Sequence, residues 1–178
     1  MNIAEYFNPK KTLKLVGLEK NFIFFKNLLQ SDKLPKVILL TGDQGIGKNT
    51  LVNHLMYFYF DKTNYKNEEC HFEDKIFLKK YFNNLIPNII YLDGDNSKST
   101  KIEEIRNLKE SLLKSNLNDF KRFVILDNVE KINTNSLNAL LKLIEEPGEN
   151  NNFILINNKT SSLIDTIKSR CIEFKIII

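Results

Sequence analysis

The chain is 178 residues long, 42% hydrophobic and 27% charged, with 26 Lys and Arg against 22 Asp and Glu, a net charge of +4. That composition describes one globular domain. At this length about 70% of the unfolded surface can be buried, enough for a packed core without disulfides or structural metals, so disorder and a disulfide scaffold are excluded as classes. No apolar run approaches the roughly 18 residues of a membrane span, and the protein is expected to be soluble, with no membrane partner. Met1 to Lys11 holds no stretch suited to a secretory signal, which points to the cytoplasm. Cys70 and Cys171 alone fit a reducing compartment, and the Cys70-His71 pair falls far short of a zinc ligand set. No zinc is expected. The mild, dispersed basic excess permits contact with nucleic acid without indicating it.

Along the chain, helical and strand patterns alternate without repeats or a Pro/Gly/Ser linker. A first helix is predicted from Glu19 to Gln30, with Phe22, Phe25 and Leu29 on one face, and Pro35 breaks the chain before a strand, Val37 to Leu40. A glycine-rich turn follows at once, and Lys48 to Phe60 carries Leu51, Val52, Leu55, Met56 and Tyr59 at helical spacing. Asp61 to Leu85 reads as a helical or irregular insertion before a strand at Asn88 to Leu92. After a turn at Asp93 to Ser99, Thr100 to Lys114 is an amphipathic helix with Ile102, Ile105, Leu108 and Leu112 inward.

A third strand, Phe123 to Leu126, ends in Asp127. Asn135 to Glu146 places Leu137, Leu140, Leu141 and Ile144 on one helical face and stops at Pro147-Gly148. Strands at Phe153 to Ile156 and Cys171 to Ile176 flank a short helical stretch near Leu163 to Ser169. Apolar strands between helices indicate an α/β fold, a five-stranded parallel sheet with helices on both faces.

The strongest chemical signal is Gly42-Asp43-Gln44-Gly45-Ile46-Gly47-Lys48, the phosphate-loop spacing of Gly, four residues, Gly, Lys. Its place between an apolar strand and an amphipathic helix lends it specificity. Glycines let backbone N–H groups turn toward a di- or triphosphate, the helix offers its positive end, and Lys48 supplies a point charge. A nucleoside triphosphate is the expected ligand. The position after the lysine, where a Ser or Thr hydroxyl ligates Mg²⁺, holds Asn49. Thr50 is no obvious substitute, since one step along a helix turns a side chain by about 100°. The Asn49 carbonyl can still coordinate, more weakly.

The second part of such a site is an acid at the end of a neighbouring strand, and Asp127 is the candidate for Mg²⁺; an ordinary strand-end cap is the alternative. Hydrolytic sites of this class place a second carboxylate beside it to polarise water. Here that position is Asn128, which cannot act as a base near neutral pH, and Glu130 lies two residues on.

Four segments together carry a family resemblance: Asp127 to Lys131, Asn138 to Pro147, Phe153 to Asn158 and Thr166 to Cys171. With Val16-Gly17 and Leu34-Pro35 near the start, they resemble the nucleotide-binding AAA+ module of clamp-loader proteins across nearly the whole chain, and most of all its delta-prime branch in bacterial DNA polymerase III. The resemblance implies a single AAA+ module over residues 1–178, without the family's lid and collar domains. It implies ATP as cofactor, held by Val16, Gly17, Gly42, Gly45, Ile46, Gly47, Lys48, Asn49 and Thr50, with Mg²⁺ at Asp127. Asn158 matches the sensor position that reads the terminal phosphate, with a strand-end turn as the alternative. Arg170 matches the arginine that the family offers in trans to a neighbour's nucleotide, which a planar guanidinium suits better than an ammonium.

The implied function is that of a clamp-loader subunit that binds ATP with weak or no hydrolysis and helps load the sliding clamp onto primed DNA during replication. Its implied partners are the gamma/tau and delta subunits of the polymerase holoenzyme, the sliding clamp and primer-template DNA. Lys98, Lys101 and Arg106 could reach phosphates, but Glu103, Glu104 and Glu110 dilute that face, and a solvated mixed-charge helix is the better reading. The rivals are an active gamma/tau-type ATPase, which needs Asn49 and Asn128 tolerated or Glu130 in the missing carboxylate's place, and a phosphate-loop small-molecule kinase.

Overall fold

The computed structural model describes residues 14–65, 76–94, 102–113 and 120–177. They fall into two compact units, one formed by the chain up to Leu34 with Ile46–Ile86, the other by Pro35–Gly45 with Pro87–Ile177.

The first unit is helical. Helix α1 (Glu19–Gln30) buries Phe22 and Phe25, three residues apart on one face. It ends in a tight turn in which Ser31 N–H donates to Asn27 O and Lys33 N–H to Leu28 O, with Asp32 at a φ of 57°. Helix α2 (Lys48–Phe60) is buried on nearly every side, polar Asn53 and His54 included, whereas the spacing predicts a single apolar stripe. Tyr59, expected inside, is only partly covered, and Tyr57 and Phe58 are buried instead.

The insertion after α2 supplies the reason. Tyr65 lies within ring-contact distance of Phe22, His54, Tyr57 and Phe58, at centroid separations of 5.4–5.8 Å. In α3 (Ile76–Phe82), Phe77 stacks on Tyr57 and the Tyr81 hydroxyl donates to Asn53 Oδ1 at 2.9 Å. The Tyr65 hydroxyl and His54 Nδ1 are 2.8 Å apart. Each buried polar group thus has a partner, as burial in an aromatic core requires. Desolvation, with Tyr57 close by, raises the Tyr65 pKa above that of an ordinary phenol.

The second unit is a five-stranded sheet of β1 (Val37–Thr41), β2 (Ile89–Asp93), β3 (Arg122–Asp127), β4 (Asn151–Asn157) and β5 (Ile172–Lys175). The strand order is β2-β3-β4-β1-β5, and every pairing is parallel. The predicted fold class is borne out. Its helices are α4 (Ile102–Leu113), α5 (Thr134–Glu145) and α6 (Asp165–Lys168).

Strands alternate side chains between faces, so one set, Val37 and Leu39, Val124 and Leu126, Phe153 and Leu155, forms a core with Ile105 and Leu108 of α4, Leu137, Leu140 and Ile144 of α5, and Ile167 of α6. The other set, such as Ile38, Phe123 and Ile154, is equally buried. Only the three inner strands are buried along their whole length. Edge strand β5 leaves Ile172 54% exposed and carries Glu173 and Lys175, charges of the kind that keep an edge from pairing with another chain.

The cap of α5 is one residue earlier than the pattern predicts: Asn133 Oδ1 accepts from Ser136 N–H at 2.9 Å, so the helix opens at Thr134. Lys98 and Lys101 lie outside the described residues, as do Cys70 and His71. No helix among the described residues is long and apolar enough to cross a membrane.

Candidate functional site

Because all five strands are parallel, their carboxyl ends share one edge of the sheet, where ligands of open α/β folds bind. In register, Thr41 stands opposite Asn157, and Asp93 opposite Asp127. The glycine-rich turn leaves from Thr41, whose buried hydroxyl has no hydrogen-bond partner among the described residues. Gly42 N–H donates to Asn157 O, and the exposed Asp43 pairs with Lys159 at 3.2 Å. Gly45 has a φ of 86° with open space where a Cβ would stand.

In the helical unit, Gly47 is the N-cap of α2, at a φ of 88°, and no side chain caps it. A Cβ there would approach Leu18 Cδ1 to 3.2 Å, so both conformation and space call for glycine. Lys48 follows, 2% exposed, with Asn49 and Thr50 half-buried in the first turn. Gly17 also has a left-handed φ, of 73°, and Val16 is 63% exposed.

The densest polar network lies at the ends of β2, β3 and β4. Asp127 Oδ1 accepts from Asn128 N–H at 2.8 Å and from Asn158 Nδ2 at 3.3 Å, and its Oδ2 accepts from the Tyr91 hydroxyl at 2.9 Å. Asn128 Nδ2 donates to Asp93 Oδ1 at 2.8 Å, and Asn128 Oδ1 accepts from Asn158 Nδ2 at 2.8 Å. Two carboxylates, which only accept, therefore fix both amides: Asp93 draws the Asn128 NH₂, which turns the Asn128 oxygen toward Asn158, and Asp127 draws the Asn158 NH₂. The Asn158 Oδ1 has no partner among the described residues and is left as an acceptor.

Glu130 sits in a 3₁₀ turn (Val129–Lys131), 7% exposed. Its Oε2 accepts from Asn158 N–H at 3.1 Å and its Oε1 from the Thr160 hydroxyl at 2.7 Å, while the Ser161 hydroxyl donates to its backbone oxygen. The carboxylate thus pins the loop that carries Asn158. Arg170 lies away from this network in the bonding pattern, beyond α6, where Nε donates to Glu145 Oε1 at 2.6 Å. Burial pushes the neighbouring Cys171 thiol up to about 12, so it stays protonated near neutral pH.

The model of a family described as DNA polymerase III, delta subunit, matches residues 17–177. The chain belongs to this family. Among relatives of this DNA polymerase III delta-family chain, the DNA polymerase III subunit gamma of Buchnera aphidicola subsp. Acyrthosiphon pisum is 28% identical over 174 residues, 98% of this chain and 47% of the relative. The subunit delta' of Bacillus subtilis is 29% identical over 147 residues, 82% of this chain and 43% of the relative. The chain therefore spans less than half the length of these relatives. A DNA polymerase III gamma subunit-related protein of Thermotoga maritima shares the fold, with a TM-score of 0.63 at 21% identity over 88% of this chain and 46% of that one. The resemblance to the clamp-loader AAA+ family is borne out.

Sequence reasoning about this delta-family chain named Asp127, Asn128, Glu130 and Asn158, and the fold brings these four together. It missed Tyr91, Asp93, Gly94, Thr160 and Ser161. Asp93 had a signal, an acid closing a strand as Asp127 does. Gly94 had a weaker one: a Cβ there would meet Asn128 O at 2.4 Å, and the Gly94 N–H donates to Asp127 O, so the β2 turn needs glycine for close approach.

Proposed function

We propose that this chain is a clamp-loader subunit of bacterial DNA polymerase III, of the delta-prime type, that binds ATP, hydrolyses it weakly or not at all, and offers Arg170 to the nucleotide of an adjacent ATPase subunit. In that role it helps load the sliding clamp onto primed DNA, with gamma/tau and delta subunits as partners and the AAA+ module of residues 1–178 as its nucleotide-binding part.

The observation that carries the reading is the amide at position 128. A water-polarising carboxylate has no place there: Asn128 is bonded to Asp93 on one side and Asn158 on the other. Glu130, the substitute an active motor would need, has each carboxylate oxygen bonded to the Asn158–Ser161 loop. Binding is a separate matter. Gly42, Gly45, Ile46, Gly47 and Lys48, with Asn49 and Thr50, offer a polyphosphate two left-handed glycines, Gly45 and Gly47, a helix start without a side-chain cap and a lysine, and Val16 and Gly17 complete the proposed nucleotide-binding set. Asp127, whose Oδ2 accepts from the Tyr91 hydroxyl, is the carboxylate offered to Mg²⁺, an ion that holds most of its waters and asks for one or two carboxylates. The metal, when bound, neutralises phosphate charge; the absent hydroxyl at position 49 weakens its hold.

Two measurements test the proposal. Titration calorimetry is expected to give ATP binding that Lys48→Ala abolishes, with Mg²⁺-dependent turnover by the isolated chain near background. In a complex reconstituted with gamma-type and delta subunits, Arg170→Ala is expected to lower the neighbour's ATPase by at least about tenfold, trans arginines being worth about 10³ to 10⁵ in related systems. Brisk turnover by the isolated chain would favour the gamma/tau-type motor instead, a reading that the gamma relatives keep open.

A further inference from the structure

Arg170 is held by more than its backbone. It follows α6, whose Ile167 is wholly buried in the core of the sheet unit, and its own N–H donates to Ile167 O. At the far end of the side chain, Nε–H donates to Glu145 Oε1 at 2.6 Å and Nη1 donates to Thr166 O at 2.9 Å, with a longer contact from Nη1 to Ser169 Oγ. Two bonds on different nitrogens fix both the position and the plane of a guanidinium. The third nitrogen, Nη2, has no partner among the described residues, so two of the five N–H donors of the group are unspent.

Glu145 is an odd residue to find at its place. It closes α5, and a helix C-terminus carries partial negative charge that favours cations over carboxylates. Glu146 follows it, so two acids stand where the helix end favours a base. Local preference is broken here, and such breaks gather at functional positions. Stability does not explain the pair: the two side chains are 35% and 45% exposed, and ion pairs in that setting contribute little. What a 2.6 Å charge-assisted bond does supply is direction.

From this we infer that Glu145 is a positioning residue for Arg170: it aligns the guanidinium ahead of assembly, so that Nη2 points outward for an anionic oxygen, such as a triphosphate oxygen, held by a neighbouring subunit. The inference rests on the trans role proposed above for Arg170 and adds how that role is prepared. An arginine left to sample its rotamers has to be ordered at the moment of reaction; one held by Glu145 and Thr166 O has already been ordered on folding. Nη2 can bind the neighbour's phosphate without either existing bond being broken.

The test is steady-state ATP hydrolysis by the reconstituted complex, with ATP varied, for the wild-type chain, Arg170→Ala, Glu145→Ala, Glu145→Gln and the double variant Glu145→Ala/Arg170→Ala. Glu145→Ala is expected to lower kcat about three- to tenfold with KM unchanged, the signature of an interaction that matters in the transition state. Glu145→Gln, whose carbonyl oxygen still accepts from Nε, is expected to recover most of the loss. The double variant is expected to be no worse than Arg170→Ala alone, since Glu145 acts only through the arginine. Melting temperatures of the free chains are expected to agree within a few degrees, as for an exposed pair. Wild-type kcat in Glu145→Ala beside a defective Arg170→Ala overturns the inference and leaves the trans arginine standing. Wild-type kcat in Arg170→Ala overturns the trans arginine itself.

Discussion

Asn128→Asp is the sharpest probe of the network at the strand ends. Asn128 has a φ of 50°, in the left-handed region where Asp is accepted nearly as well as Asn, so the substitution changes charge with little backbone penalty. The new carboxylate keeps the bond accepted from Asn158 but puts an oxygen where an N–H now donates to Asp93 Oδ1 at 2.8 Å. Two unit charges about 4 Å apart at an effective dielectric of about 20 repel by about 4 kcal/mol. The folded chain can escape by taking up one proton. At about pH 7 that uptake spans about three pH units above a carboxyl pKa of about 3.9, also about 4 kcal/mol. By either route the variant is expected to be about 3 to 4 kcal/mol less stable than wild type at neutral pH.

The pH dependence follows from the proton. A carboxyl pair sharing one proton has a folded pKa raised above the unfolded value, so above about pH 4 the folded variant binds more protons than the unfolded one, and stability falls as pH rises until the folded pKa is passed. At about pH 5 the proton costs only about 1.5 kcal/mol. Urea denaturation of both proteins at several values between about pH 5 and 7.5 reads the difference directly. A deficit that does not change with pH, or one below about 1 kcal/mol at pH 7, would refute the reasoning, because Asp93 would then not face residue 128 at bonding distance.

Substitutions at two further positions address the same corner. Glu130→Ala leaves the Asn158 N–H without its acceptor in a part-buried setting and is expected to cost about 1–3 kcal/mol, while Glu130→Gln, which can accept from Asn158 and donate to the Thr160 hydroxyl, is expected to cost less than about 1 kcal/mol; thermal melts distinguish them. Gly94→Ala drives a methyl to 2.4 Å from Asn128 O, a backbone atom that cannot swing aside, and is expected to cost at least about 3 kcal/mol by chemical denaturation, with the Asn128 amide signal displaced in an NMR spectrum.

The sequence by itself determined the order of the elements and the place of the glycine-rich turn between strand and helix. Val37–Thr41, the glycine-rich turn and Lys48–Phe60 were legible because glycine, proline and apolar spacing are local signals that tertiary context reinforces here. Family resemblance reached further than physics alone could: nothing in the spacing of Asn158 or Arg170 marks either residue as special, and their assignment came from the motifs around them.

Only the tertiary structure decided what the polar residues do to one another. Asp93 and Asn128 are 35 positions apart and meet because β2 and β3 are paired in a register that no local rule sets. The same holds for Glu130 with Asn158 and for Glu145 with Arg170, contacts between separate elements whose geometry depends on helix ends and loop paths. The aromatic segment around Tyr65 was opaque for a related reason: a residue with an apolar ring and a polar tip suits a surface or a core, and the partner for its hydroxyl, His54, lies in another element. Local preferences fix what each segment becomes; the identity of each polar group's partner is a long-range fact.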